Sequence, residues 1–110
     1  MKKVCKASDV KKNSMKGFTV KDRQILIANV SGKYYAMDSV CSHAKGYLPA
    51  GKLEGFNVIC PVHGSQFDVR TGEVVKNVNS LIKMATHSVA TKMKAYKVTE
   101  KEGNIYLNIK

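Results

Sequence analysis

Polar and apolar residues along this chain repeat with the period of strands. Met15 to Val20 is rich in β-formers, and the polar turn Lys21-Asp22-Arg23 follows it. Gln24 to Val30 is an apolar run of strand length rather than helix length. Ser31-Gly32-Lys33 predicts a hairpin connection, with Tyr34 to Asp38 returning as its partner. Phe56, flanked by Gly55 and Asn57, precedes another short strand at Val58-Ile59-Cys60. Phe67-Asp68-Val69 and Glu73-Val74-Val75 read as a hairpin around Arg70-Thr71-Gly72. Lys94 to Thr99 and Asn104 to Ile109 alternate with a period of two around the turn Glu100 to Gly103. Cys5 falls in a first strand. Many short strands with regular turn signals predict an all-β, antiparallel sandwich or barrel. The segment Asn77 to Met93 has no clear period, and a short helix, a surface loop and an irregular strand all fit it.

The middle of the chain differs from its flanks. From Cys41 to about Val75 it holds both prolines, five of the eight glycines and two of the three histidines, but few of the basic residues. Such a stretch suits a loop-built site inserted into a base of strands.

Composition bounds the possibilities. The 110 residues are the size of one domain, and 44% hydrophobic content is enough for a core. No stretch approaches the length a membrane span needs, and no apolar run follows the basic N-terminus as a secretory signal would require. The expectation is a cytoplasmic protein with no membrane partner. Nineteen Lys and Arg against eight Asp and Glu give a net charge of +11, which favours acidic partners. No groove-reading helix or aromatic-studded basic patch points to nucleic acid, so the lysines read as a solvated face. Three cysteines are too few for a disulfide scaffold and point to metal binding or free thiols.

Four metal-ligating side chains come in two tight pairs, Cys41-Ser42-His43 and Cys60-Pro61-Val62-His63, separated by sixteen residues. Mixed thiolate and imidazole donors suit zinc or iron. A structural Cys2His2 zinc site usually has both cysteines on one knuckle and both histidines on a helix, whereas here each pair runs from Cys to His. A 2Fe–2S cluster with two histidines on one iron fits the set directly. Cys41 and Cys60 would then share one iron, and His43 and His63 the other. Cys5 has no partner left over and reads as a packing residue, and His87 as a solvated one.

The run Cys60-Pro61-Val62-His63-Gly64-Ser65-Gln66-Phe67-Asp68, continued by Arg70-Thr71-Gly72 and preceded by Cys41-Ser42-His43, resembles the Rieske iron–sulfur proteins. The strand order on both sides is similar to that of the Rieske-type ferredoxins over nearly the whole chain, weakening at Asn77 to Met93. The resemblance implies a single Rieske domain, with an antiparallel β base at 1–40 and 76–110 and a small cluster-binding subdomain at about 41–75. It implies one 2Fe–2S cluster per chain, held by Cys41, His43, Cys60 and His63. Ser65 matches a serine that donates to a bridging sulfide, the alternative being a turn cap. Tyr47, Leu48, Val62 and Phe67 would pack around the cluster, and Gly46, Gly64 and Gly72 would serve backbone turns.

Two departures place the chain within the family. Members of the cytochrome bc-type complexes join their loops by a disulfide; the matching positions here are Gly46 and Val62. Their tyrosine hydroxyl aimed at a ligand sulfur is replaced by Phe67. Both absences remove stabilisation of the reduced cluster and imply the low end of a potential range of roughly −150 to +300 mV. Two ferric ions, two sulfides and two thiolates sum to zero charge, and one electron makes the cluster singly negative. The resulting expectation is an electron-transfer protein, not an enzyme. It would be a low-potential Rieske ferredoxin carrying single electrons from a reductase to a terminal oxygenase or other oxidoreductase with acidic docking surfaces. The alternatives are a small Rieske subunit of a nitrite reductase or other multi-subunit oxidoreductase, and a zinc-bound structural or nucleic-acid-interacting module.

Overall fold

The computed structural model describes residues 2–41, 46–62, 64–76 and 90–108. Eleven strands occupy them: β1 (Lys2–Lys6), β2 (Ser14–Val20), β3 (Arg23–Val30), β4 (Lys33–Asp38), β5 (Lys52–Glu54), β6 (Asn57–Ile59), β7 (Gln66–Asp68), β8 (Val74–Lys76), β9 (Ala95–Tyr96), β10 (Val98–Lys101) and β11 (Asn104–Leu107). Two short 3-10 turns, Ala7–Asp9 and Leu48–Ala50, are the helical elements among the described residues. All strand pairings are antiparallel, in three sheets ordered β1-β11-β10, β2-β3-β4-β9 and β5-β6-β7-β8.

The organising strand is β3. Every residue from Ile25 to Val30 is buried, because both faces of its sheet are covered. Side chains alternate across a strand. Ile25 and Ile27 therefore join one core with Cys5, Val10, Ala36, Tyr96, Ile105 and Leu107. Leu26, Ala28 and Val30 join a second core with Met37, Cys41, Leu48, Val58, Cys60 and Phe67. Asn29 is the polar member of the buried run. Its amide donates to the Val10 carbonyl at 3.0 Å and accepts from the Gly32 N–H at 2.9 Å, so no polar atom is stranded.

Three of the tight turns are of one kind. Lys21-Asp22, Ser31-Gly32 and Glu102-Gly103 each have two consecutive residues with positive φ, the combination whose twist matches that of a two-residue hairpin. The Lys94 to Thr99 stretch, expected as one strand, is divided at Lys97. Ala95–Tyr96 pairs with β4, and Val98 onward pairs with β11, so the chain changes sheets there. Strand β5 has a single apolar residue, Leu53, and gives no alternation to read. Residues 77–89 of the aperiodic Asn77 to Met93 segment, with His87, lie outside the described residues. Its last part returns to the core through Ala90 and Met93, whose N–H donates to the Gly72 carbonyl at 2.7 Å.

Candidate metal centre

The two expected ligand loops are built alike. The Cys41 N–H donates to the Gly46 carbonyl at 2.8 Å, and the Cys60 N–H donates to the Ser65 carbonyl at 2.8 Å. Each cysteine therefore opens a loop closed by its own amide onto the residue five positions on. The expected histidine of each pair falls inside that loop. His43 and His63 themselves lie outside the described residues.

Both thiols are buried, Cys41 at 2% and Cys60 at 1% exposure, and both belong to the same core. Neither is in a disulfide. The first loop is anchored by the β4 end. Asp38 N–H donates to Lys94 O at 2.9 Å, Ser39 N–H to Gln24 O at 3.1 Å, and Leu48 N–H to Ser39 O at 2.8 Å. Below it, the Tyr96 hydroxyl donates to Asp38 Oδ1 at 2.6 Å and accepts from Arg23 Nη1 at 2.9 Å. Burial, followed by the bond to Asp38, holds that phenol above its ordinary pKa.

The second loop is anchored through β7. Phe67 is fully buried and pairs with Val58 and Val74. Asp68 receives both the Arg70 backbone N–H at 2.9 Å and a two-pronged guanidinium contact at 3.0 and 2.9 Å. That contact draws the Asp68 carboxyl below its usual pKa. The Arg70 guanidinium also lies 3.9 Å from the centre of the Phe56 ring, which meets Tyr35 edge-on. Gly72 has φ +81°, and a Cβ there would overlap the Met93 carbonyl, so the Thr-Gly of the motif is where the returning chain docks.

Three observations test whether these residues suit a cluster. The Ser65 side chain is fully buried, and its Oγ has no hydrogen-bond partner among the described residues. A buried hydroxyl left unpaired costs stability unless something else accepts from it. A turn-cap role would give it a backbone partner, and none is present among the described residues. Second, a Cβ on Gly46 would lie 3.0 Å from Cys60 Sγ and 2.7 Å from Val62 Cγ2. Gly46 lacks the positive φ of Gly64 and Gly72, so space beside the thiol, not a turn, accounts for glycine there. Third, two soft sulfur donors are held in one dry core without being spent on a disulfide. The donor set fits an iron–sulfur centre.

Residues 1–102 match the Rieske [2Fe-2S] domain. The chain belongs to this family. The Rieske chain carries one 2Fe–2S cluster, which ends the zinc reading. It is similar to sulredoxin of Sulfurisphaera tokodaii, at 43% identity over 77 residues, covering 68% of this chain and 69% of that one. It is 35% identical over 68 residues to the ferredoxin component of the naphthalene 1,2-dioxygenase system of Pseudomonas putida. That match covers 62% of this chain and spans 65% of the relative's length. Among solved structures, a chain in the complex of reduced oxygenase and oxidized ferredoxin in carbazole 1,9a-dioxygenase superposes with a TM-score of 0.79 at 28% identity. The match covers 96% of this chain and 99% of that one. The all-β fold expected from the strand pattern, and the antiparallel Rieske architecture implied by the resemblance, are the ones observed.

Around the site, Val40 (38% exposed), Tyr47 (47%) and Val62 (51%) stand out into solvent. Val40 and Tyr47 are bridged to each other. Leu48 is fully buried, in the same core as Cys41 and Cys60. A cleft of about 430 Å³ beside Cys60 is lined by Ala50, Gly51, Lys52, Ile59 and Pro61. No helix among the described residues is long and apolar enough to cross a membrane.

Proposed function

We propose that this protein is a cytoplasmic Rieske-type ferredoxin, an electron-transfer protein rather than an enzyme. It takes one electron from a reductase and delivers it to a terminal oxygenase or a related oxidoreductase. Cys41, His43, Cys60 and His63 hold the cluster, the two cysteines on one iron and the two histidines on the other. The Ser65 hydroxyl donates to a cluster sulfur. Residues 1–40 and 76–110 form the base and 41–75 the cluster-binding subdomain, a division supported by the separate β5-β6-β7-β8 sheet. When bound, the cluster supplies a one-electron couple; the chain's residues supply the dry sulfur environment and the surface that meets a partner.

The observation that carries this reading is the near-complete superposition on the chain from the oxygenase–ferredoxin complex. It agrees with the identity to a dioxygenase ferredoxin component. The apolar collar of Val40, Tyr47 and Val62 is the face offered to the redox centre of the partner. Charge is distributed elsewhere: residues 41–75 hold three basic and three acidic side chains, so the whole of the +11 lies on the base. Acidic docking surfaces on a partner would meet that base and speed encounter at low salt.

The test is stopped-flow mixing. Protein reduced by NADH and a flavin-dependent ferredoxin reductase is mixed with the oxidised Rieske oxygenase of a carbazole dioxygenase. One electron per chain should pass, at a rate that falls with ionic strength. Failure of the protein to cycle between reduced and oxidised spectra would overturn the carrier reading.

A further inference from the structure

Gly17 sits in the interior of β2, where glycine weakens a strand by roughly 0.5–1 kcal/mol relative to alanine. Its φ is not in the left-handed region, so the backbone does not require it. It pairs with Leu26, which faces the core containing Cys41 and Cys60; Gly17 is on that same face. A glycine within a strand often marks the close approach of another group, and here the group is Tyr47. A Cβ on Gly17 would overlap Tyr47 Oη, lie 2.9 Å from Tyr47 Cζ and stand 3.2 Å from Pro49 Cγ.

Tyr47 directly follows Gly46, which closes the first ligand loop. It is half exposed, so burial alone does not fix it. Its backbone is bridged to Val40, and its neighbours Gly46 and Leu48 are tied to Cys41 and Ser39 at 2.8 Å each. Gly46 in turn lies beside Cys60 Sγ, close enough that an added Cβ would stand 3.0 Å from it. A line of neighbours thus runs from the edge strand β2 through Tyr47 and Gly46 to a thiol of the other loop.

We propose that the Gly17 notch seats Tyr47 and thereby sets how closely Gly46 approaches the Cys60 sulfur, making Gly17 and Tyr47 positioning residues for the cluster's reduction potential. The proposal rests on the assignment of Cys60 as a ligand. Displacing Tyr47 loosens Gly46 and admits water to that sulfur. Water favours the more negative reduced state, so the potential moves upward.

The experiment measures midpoint potential and the reduced-state EPR spectrum of the isolated holoprotein, with no partner present. Gly17→Ala and Tyr47→Ala should each raise the reduced-to-oxidised ratio at a fixed applied potential at least threefold, about 28 mV for one electron. Because both act on one seat, the double variant should shift no further than the larger single variant. Gly17→Ala/Tyr47→Phe, which removes the overlapping hydroxyl, should lie closer to wild type than Gly17→Ala alone. Additive shifts, or a Tyr47→Ala protein with wild-type potential and spectrum, would overturn the proposal. If Gly17→Ala does not hold a cluster, Tyr47→Ala decides alone: a shift supports the seat and its absence refutes it. A wild-type protein without iron and sulfide would instead defeat the ligand assignment.

Discussion

Gly46 and Val62, sixteen residues apart in the sequence, are side by side in the fold: a Cβ on Gly46 would lie 3.6 Å from Val62 Cβ. Disulfides need Cβ atoms about 3.5–4.5 Å apart. These are the two positions where the resemblance to cytochrome bc-type members places a disulfide. The loops of this chain are therefore already at bridging distance, and only the cysteines are missing.

Gly46→Cys/Val62→Cys should accordingly form a disulfide under oxidising conditions without large backbone movement. A bridge closing a loop of this length stabilises by about 3 kcal/mol in the chain-entropy model, less the strain of crowding Cys60 Sγ. Thiol counting and mass spectrometry with and without reductant read the bond, and thermal unfolding reads its effect. Two thiols that stay reduced under air and an oxidant would show that the loops are not apposed.

Ser65 supplies the second prediction. Its buried hydroxyl has no partner among the described residues, and the hydrogen bond proposed to a cluster sulfur would satisfy it. A hydrogen bond to a charged group is worth about 1.5–3 kcal/mol, and about 1.4 kcal/mol corresponds to 59 mV for one electron. The bond exists in both oxidation states, and only its strengthening on reduction moves the potential. Ser65→Ala should therefore lower the potential by some tens of millivolts, less than the full conversion. Phe67→Tyr should raise it by a similar amount if the new hydroxyl reaches a sulfur, and the two shifts should add. Protein-film voltammetry measures both, and an unchanged potential in Ser65→Ala would return Ser65 to a turn residue.

How far the sequence carried this account depends on how local each feature is. The hairpins were legible because their turns, such as Ser31-Gly32, combine short polar connections with flanking β-formers. The run Ile25 to Val30 was legible as a strand, but its burial on both faces was not. That required knowing that a second sheet covers Ile25 and Ile27. The four-ligand pattern was legible because each pair lies within one short loop. The Gly46–Cys60 and Gly17–Tyr47 approaches were not, since nothing in a lone glycine says which distant side chain fills its space. Gly46 in particular read as a turn residue, and the structure shows it to be a gap.

Cys5 gives a prediction on the base. Burial, reinforced by Asp9, pushes its thiol up to about 11. Unfolded, a cysteine titrates near 8.5. Between those values the unfolded chain has released a proton that the folded chain retains, so stability falls as pH rises through this window. Below it the thiol is neutral in both states and contributes no slope. Melting temperature against pH should therefore decline more steeply from about pH 9 to 11 in the wild type than in Cys5→Ala. Native Cys5 should also resist alkylation at pH 8. Equal slopes in the two proteins would refute the raised thiol.

The most direct test of the whole account is the ligation of the cluster itself. Iron and acid-labile sulfide should each be two per chain, and pulsed EPR of the reduced protein should show couplings from two histidine nitrogens. His43→Ala and His63→Ala should each remove one coupling or the cluster with it. One zinc per chain without sulfide, or a reduced cluster whose spectrum shows no nitrogen coupling, would contradict the assignment of Cys41, His43, Cys60 and His63.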